Sequence, residues 1–215
     1  MDNLDLTPLS GAAGSADRIG AWDLAVALDT RDAEGQLAPR SGRQSFFWVA
    51  DGELRLTGPG GFNEPVTPDQ VGVVSGSQVR GAGRVVGARL DAIADAEGTV
   101  EIFEPEIFTL RGVTTEISGE ARVLAGTMFG RTSPVATAHP VVAAELRLAP
   151  GAEVAFTLEP NFEYGLLALA DGCAVQNVDV PAGEVAYAEA GGRTWGVKNR
   201  ATGWVRAVVF GGEPI

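Results

Sequence analysis

The sequence predicts an all-β chain built as two similar small β-barrels in tandem, and three observations carry that prediction. Short apolar stretches recur along nearly the whole chain between Gly, Pro, Asp and Asn, the pattern of strands separated by turns. No stretch shows three turns of helical amphipathicity. The two halves also repeat features in a fixed order: Trp48-Val49-Ala50-Asp51-Gly52-Glu53 resembles Leu169-Ala170-Asp171-Gly172-Cys173, with an offset of 120 residues between the glycines. Each unit then runs to a Pro-containing turn, near Pro68 and at Pro181-Ala182-Gly183, and closes on small residues, Ser75-Gly76 and Ala190-Gly191. Apolar-Asp-Gly alone is a common hairpin signal, so the duplication rests on the shared order.

Taken in order, strands are expected over residues 21–28, 44–56, 71–75, 84–92, 100–110, 141–148, 154–158, 164–170, 184–188 and 203–210. Arg55-Leu56-Thr57 and Glu145-Leu146-Arg147-Leu148 alternate polar and apolar residues, as half-buried strands do. Gly58-Pro59-Gly60-Gly61, Pro150-Gly151 and Gly191-Gly192 supply turns. The first of these lacks the Gly-Lys-Ser/Thr ending of a phosphate loop, and a hairpin explains it. A tail over 1–17, a first barrel over 18–115 and a second over 116–215 follow, with the boundary in the Thr- and Ser-containing stretch 114–119.

Composition narrows the function classes. The chain has 215 residues and a net charge of −12, with 28 acidic side chains against 16 basic ones. Residues 1–118 carry −9 of that charge and 119–215 carry −3. Such a surface does not suit a phosphate backbone, so no direct nucleic-acid partner is expected. One His (His139) and one Cys (Cys173) exclude a zinc site made of several such ligands and an intramolecular disulfide. No run approaches the roughly 18 apolar residues of a membrane span, and the acidic start lacks a signal-peptide pattern. A cytoplasmic protein with no membrane partner is expected, and fifteen Arg against one Lys fits a GC-rich bacterial coding bias.

The run Gly126-Thr127-Met128-Phe129-Gly130-Arg131-Thr132-Ser133-Pro134-Val135-Ala136-Thr137 is similar to the start of the C-terminal domain of pirins. The resemblance continues through the strand 143–148, Pro150-Gly151-Ala152 and Gly211-Gly212-Glu213-Pro214. In the first half, Ile19-Gly20-Ala21-Trp22 and Phe47-Trp48-Val49-Ala50-Asp51-Gly52-Glu53-Leu54 resemble the pirin N-terminal domain more loosely. It covers roughly residues 18–215 and implies a bicupin, two cupin-type β-barrels packed side by side.

The resemblance also implies an iron held by three His and one Glu in the first barrel, and the matching positions here do not supply them. The family's His-Pro-His-Arg-Gly run falls on Ala38-Pro39-Arg40-Ser41-Gly42, and its later His-X-Glu falls on 81–83 or 82–84. Methyl groups and guanidinium offer no lone pair, and an Arg repels a divalent cation. In the second barrel the general cupin pattern falls on Thr157, Glu159, Glu163 and Ala186. Two carboxylates alone are a poor set for a hard cation, and surface Glu on a strand edge is the simpler reading. No metal or cofactor is expected.

If the strand through 38–48 is unbroken, Arg40, Gln44, Phe46 and Trp48 share one face, the one that carries the family's ligands into the barrel. They would form an aromatic pocket with one cationic donor, suited to a small anionic or aromatic ligand such as a carboxylate or phenolate. Alternatively Phe46 and Trp48 fill the core and Arg40 leans into solvent at the rim. Arg43 and Arg55 lie on the opposite face, toward water. His139, beside Pro140, reads as a structural or exposed His, and Cys173, without a basic neighbour, as an inert thiol. Glu101, Glu104 and Glu106 read as charge protecting an exposed edge. The functional expectation is a pirin-like bicupin without the iron site and with no catalytic residues, binding a small ligand or a regulatory protein partner. The alternative is a quercetin-dioxygenase-type or other cupin enzyme using unrecognised residues.

Overall fold

The computed structural model describes residues 5–8, 18–30, 42–75, 78–91, 93, 98–113, 119–192 and 194–215, and of these the side chains of 5–8, 25–30 and 78–84 are not described. The described chain is all-β. Its one helical element is a 3-10 turn at Pro59–Gly61. It divides into two compact units: an N-terminal one of residues 11–105 with 137–139, and a C-terminal one of 1–10, 106–136 and 140–215. The division falls at Pro105, not at the expected 115/116. Pro105 has no N–H to extend a ladder, and the expected strand over 100–110 is accordingly two strands in different units.

The C-terminal unit begins with β1 (Asp5–Pro8), so residues expected to be a tail contribute a paired strand. The N-terminal unit contains β2 (Arg18–Ile19), β3 (Trp22–Thr30), β4 (Arg43–Thr57), β5 (Asn63–Val66), β6 (Val71–Ser75), β7 (Gln78–Asp91) and β8 (Val100–Phe103). They form one antiparallel sheet in the order β2-β3-β7-β4-β6-β8, with β5 on β4. The expected Gly58–Gly61 hairpin is the connection from β4 to β5. Glu101 is exposed on β8, the last strand of that order, as edge protection requires.

The C-terminal unit continues with β9 (Phe108–Leu110), β10 (Gly119–Met128), β11 (Arg131–Thr132), β12 (Val141–Leu148), β13 (Glu153–Thr157), β14 (Glu163–Ala168), β15 (Cys173–Val175), β16 (Val178–Val180), β17 (Glu184–Ala188), β18 (Thr194–Asn199) and β19 (Val205–Gly212). One sheet runs β1-β17-β14-β19-β12-β10-β11, with β9 on β10, and a second runs β13-β18-β15-β16. Side chains of both sheets meet in one apolar cluster containing Leu146, Leu148, Val154, Leu166, Ala186, Trp195 and Val209. β10 and β18 escape the sequence patterns. β18 alternates cleanly in burial, but Gly196, Lys198 and Asn199 dilute its apolar signal.

The repeated order read from the sequence is matched in the backbone. The series β3-β7-β4-β6 has the same connectivity as β12-β19-β14-β17. Gly52 and Gly172 take positive φ of 91° and 94°, a region open to glycine at little cost. The Pro-containing turns agree bond by bond: Gln70 N donates to Thr67 O and Asp69 N to Val49 O, while Glu184 N donates to Pro181 O and Gly183 N to Ala168 O. Asp69 has φ 76° where Gly183 has 84°.

Candidate functional site

β4 is the central strand of the N-terminal sheet, and both of its faces are buried from Gln44 to Val49. Phe47 and Val49 enter an apolar cluster with Leu54, Leu56, Val66, Val74 and Val85. A register shift between Val49 and Asp51 changes the parity, which is how Leu54 and Leu56 reach the face of Phe47. Phe47 lies between Gly72 and Gly87 on the flanking strands.

Ser45 lies on the same face one step nearer the start of the strand, and its register partners are Val74 and Arg89. Arg89 in turn faces Asp23. Ser45 is fully buried, and Arg89 and Asp23 are only 5% and 8% exposed. The Ser45 hydroxyl has no hydrogen-bond partner among the described residues. One further step out, Arg43 faces Asp91. Their guanidinium and carboxylate are 2.6 Å apart, and His139 Nε2 is 3.0 Å from the same carboxylate. The hydrogen bond from His139 holds the Asp91 carboxyl below the usual range, with Arg43 and Arg18 adding to it and partial burial opposing. This face therefore grades from an apolar floor, through buried polar groups, to a half-exposed charged rim.

Gln44, Phe46 and Trp48 share the other face, as the alternation predicts, and are 6%, 6% and 2% exposed. Phe46 packs edge-on against Trp22, with ring centroids 5.4 Å apart. Arg40 lies outside the described residues, as does Ala38. β4 begins at Arg43, and Gly42 sits in a turn with φ 72°. Arg43, 30% exposed, is ion-paired with Asp91, and Arg55 bonds Asn63 on the rim of the β4–β5 hairpin. Sequence reasoning does not single out Ser45, Arg89 or Asp23. A signal for two of them is nonetheless present: Asp23 and Arg89 interrupt the apolar runs Trp22-Asp23-Leu24 and Ala88-Arg89-Leu90.

The corresponding interior of the C-terminal unit is filled. Ring contacts run from Phe108 through Phe129, Phe156 and Trp195 to Tyr164 and Phe162, with centroids 5.3–6.4 Å apart. The Tyr164 hydroxyl accepts the Glu159 N–H, and burial pushes its pKa up. Buried Asn199 donates to Leu148 O and Gly203 O and accepts from Ala201 N, so all its side-chain polar atoms are used. The positions expected for a cupin metal do not form a ligand set. Thr157 and Glu159 are exposed, Glu163 bonds Tyr187, and Ala186 contributes a buried methyl. Among the described residues no three His, Cys, Asp or Glu side chains converge. The iron set that the resemblance implies, three His and one Glu, does not fit a chain with one His. Cys173 is buried, and desolvation pushes its thiol up to about 12, as an inert thiol requires.

No protein-family model matches the chain. It is 25% identical over 217 residues to "Putative quercetin 2,3-dioxygenase PA1205" of Pseudomonas aeruginosa, an alignment that takes in 92% of this chain and 66% of that protein, a little under two thirds. A crystal structure of quercetin 2,3-dioxygenase from Acinetobacter baumannii superposes with a TM-score of 0.77 at 22% identity, covering 98% of this chain and 77% of that one. The bacterial pirin YhhW of Escherichia coli, solved in complex with nickel(II), superposes with a TM-score of 0.64 at 8% identity, covering 99% and 100%. No helix among the described residues is long and apolar enough to cross a membrane. At these identities the likeness establishes architecture, and the chain has an all-β, cupin-type fold.

Proposed function

We infer that this chain is a divergent, pirin-like bicupin that has lost the family's iron site and acts by binding, either a small anionic or aromatic molecule in the N-terminal unit or a regulatory protein partner. The observation that carries the reading is the state of His139. Its Nε2 is bonded to Asp91, whose carboxylate also pairs with Arg43. That bond leaves only Nδ1 to offer a lone pair, and a single His is two short of the three that the family's iron set needs. The packed aromatic interior of the C-terminal unit supports the reading there. Arg40, Gln44, Phe46 and Trp48 remain the pocket proposed from sequence, the last three on the face of β4 that also packs Trp22.

The likeness to the two quercetin 2,3-dioxygenase proteins favours a second reading, a cupin dioxygenase or other cupin enzyme with an unrecognised ligand set. Metal analysis separates the two. Protein expressed with added Fe, Mn, Ni or Zn is expected to carry well under one metal per chain and to leave flavonols unconsumed. Stoichiometric metal with flavonol turnover sinks the binding reading.

A further inference from the structure

The large C-terminal sheet carries a basic and aromatic patch at one end of its outer face. In β10, β12 and β19, Ala121, Leu146, Leu148, Val205 and Ala207 enter the apolar cluster between the two sheets. Side chains alternate along a strand, so Glu120, Arg147 and Arg206 point the other way. They stand in one row across the three strands, Glu120 opposite Arg147 and Arg147 opposite Arg206. Trp204 precedes Val205 as Arg206 follows it, which sets Trp204 beside Arg206 on the same outer face. Its ring is 55% exposed, and it has no hydrogen bond or ring contact among the described residues. Arg147 and Arg206 are 34% and 27% exposed, so both reach solvent.

Like charges directly opposite one another in a ladder repel, and an anion placed near both relieves the cost. Arg206 Nε donates to Glu145 Oε1 at 2.7 Å. Arg147 is held more loosely: its Nη1 lies 3.5 Å from Glu120 Oε2, and its Nε is buried without a partner. Glu120 is itself 40% exposed, and an ion pair open to solvent contributes little, so another carboxylate displaces it at small cost. Small molecules are held in concave sites, whereas these groups lie side by side on the face of a sheet. Trp and Arg are the residue types that anchor protein interfaces. The net charge of −12 argues against a nucleic acid. It also repels an acidic partner over much of the surface, which directs such a partner to exposed guanidinium.

We propose that this end of the sheet docks an acidic segment of a partner protein, with its carboxylates on Arg147 and Arg206 and an apolar side chain against the Trp204 ring. Bonds from guanidinium to carboxylate belong to the stronger, charge-assisted class. Glu120 is then an internal competitor for Arg147. This rests on the protein-partner form of the binding reading above and gives it a surface and a partner chemistry.

The test is an NMR titration of the full-length chain with an octapeptide alternating Glu and Leu, and with one alternating Gln and Leu as its uncharged counterpart. The readout is the indole N–H signal of Trp204, assigned by its loss in Trp204→Phe. The acidic peptide is expected to shift it saturably, and added salt to weaken the binding. The Gln peptide is expected to bind at least about tenfold more weakly, since a hydrogen bond between charged groups is stronger than one to a neutral amide. Arg147→Gln is expected to weaken the acidic peptide about tenfold by the same reasoning, with the melting temperature nearly unchanged because its ion pair is exposed. Glu120→Gln is expected to tighten binding, which a merely structural ion pair does not do. Glu101→Gln, exposed on β8, serves as the neutral control. Absence of saturable binding overturns the proposal, as does equal binding of the two peptides or an unaltered affinity in Arg147→Gln. Any of these, in protein that carries no stoichiometric metal, leaves the binding role standing without this surface. Stoichiometric metal with flavonol turnover overturns the binding role itself.

Discussion

The two units share a strand order but use their interiors differently. In the C-terminal unit an aromatic series from Phe129 to Tyr164 closes the space between the sheets, and the polar groups that enter it, Asn199 and the Tyr164 hydroxyl, have partners. In the N-terminal unit the equivalent strand carries Ser45 with an unpaired hydroxyl, flanked by Arg89 and Asp23 and leading to a charged rim. A duplicated framework thus keeps its backbone bonds while its side chains diverge. Full packing contributes stability, and an unpaired buried hydroxyl costs it.

The largest test of that contrast is to empty the packed interior. Trp195→Ala is expected to cost about 3–5 kcal/mol, because a large ring leaves a cavity that its neighbours do not refill. Chemical denaturation measures it, and a loss below about 1 kcal/mol would mean that the C-terminal interior is loosely packed after all. Glu145 is a similar case on the outer face of the same sheet. It is fully buried, accepts from Arg206 Nε at 2.7 Å and lies 3.9 Å from Arg122 Nε. Glu145→Ala removes the carboxylate beside the buried Arg122 guanidinium, and a loss of about 3 kcal/mol or more is expected by the same measurement.

A smaller effect is expected at Gly126, which follows the shift in register of β10 against β12 between Val123 and Ala125. Gly126 has φ 66°, and a β-carbon there would run into the Val141 carbonyl. Gly126→Ala is expected to lower the melting temperature by more than the cost of about 1 kcal/mol that a strained left-handed residue carries alone. The thiol of Cys173 gives a kinetic version of the contrast. With its pKa pushed up to about 12 and its side chain buried, it is expected not to react with a thiol reagent in mildly alkaline buffer until the chain unfolds. Rapid native-state labelling would show that this interior opens.

The smallest effect belongs to the rim. Asp91 has a folded pKa below its unfolded one, so its contribution is present above the unfolded value and is lost as pH falls through the folded one. Its side chain is 48% exposed, which screens the pair and keeps the contribution under about 1 kcal/mol. Asp91→Asn is expected to flatten the acid limb of stability slightly, and added salt to reduce the difference. A large, salt-independent loss would mean that the rim is a buried part of the core.

Much of the architecture is legible in the sequence because strands and turns are local. The bounds of β6, β12 and β17 follow from apolar runs, and the Gly52/Gly172 repeat from two glycines in the same conformation. What stays hidden depends on partners distant in sequence. β1 exists because residues 5–8 find the edge of β17, and β18 because Trp195 meets β13. Alternation assigns position 40 a face, but that position lies outside the described residues, and β4 begins at Arg43.

The sequence by itself determined the all-β class, the repeated order, the inert thiol and the poverty of metal-ligating side chains, since each depends on composition or on neighbouring residues. Only the tertiary structure decided that His139 bonds Asp91, 48 residues away, that Ser45 lacks a partner among the described residues, and that Phe156, Tyr164 and Trp195 form one packed series. Those facts depend on which strands lie side by side. Hydrogen bonds and ring contacts act over a few ångströms, and only pairing brings such residues within that range.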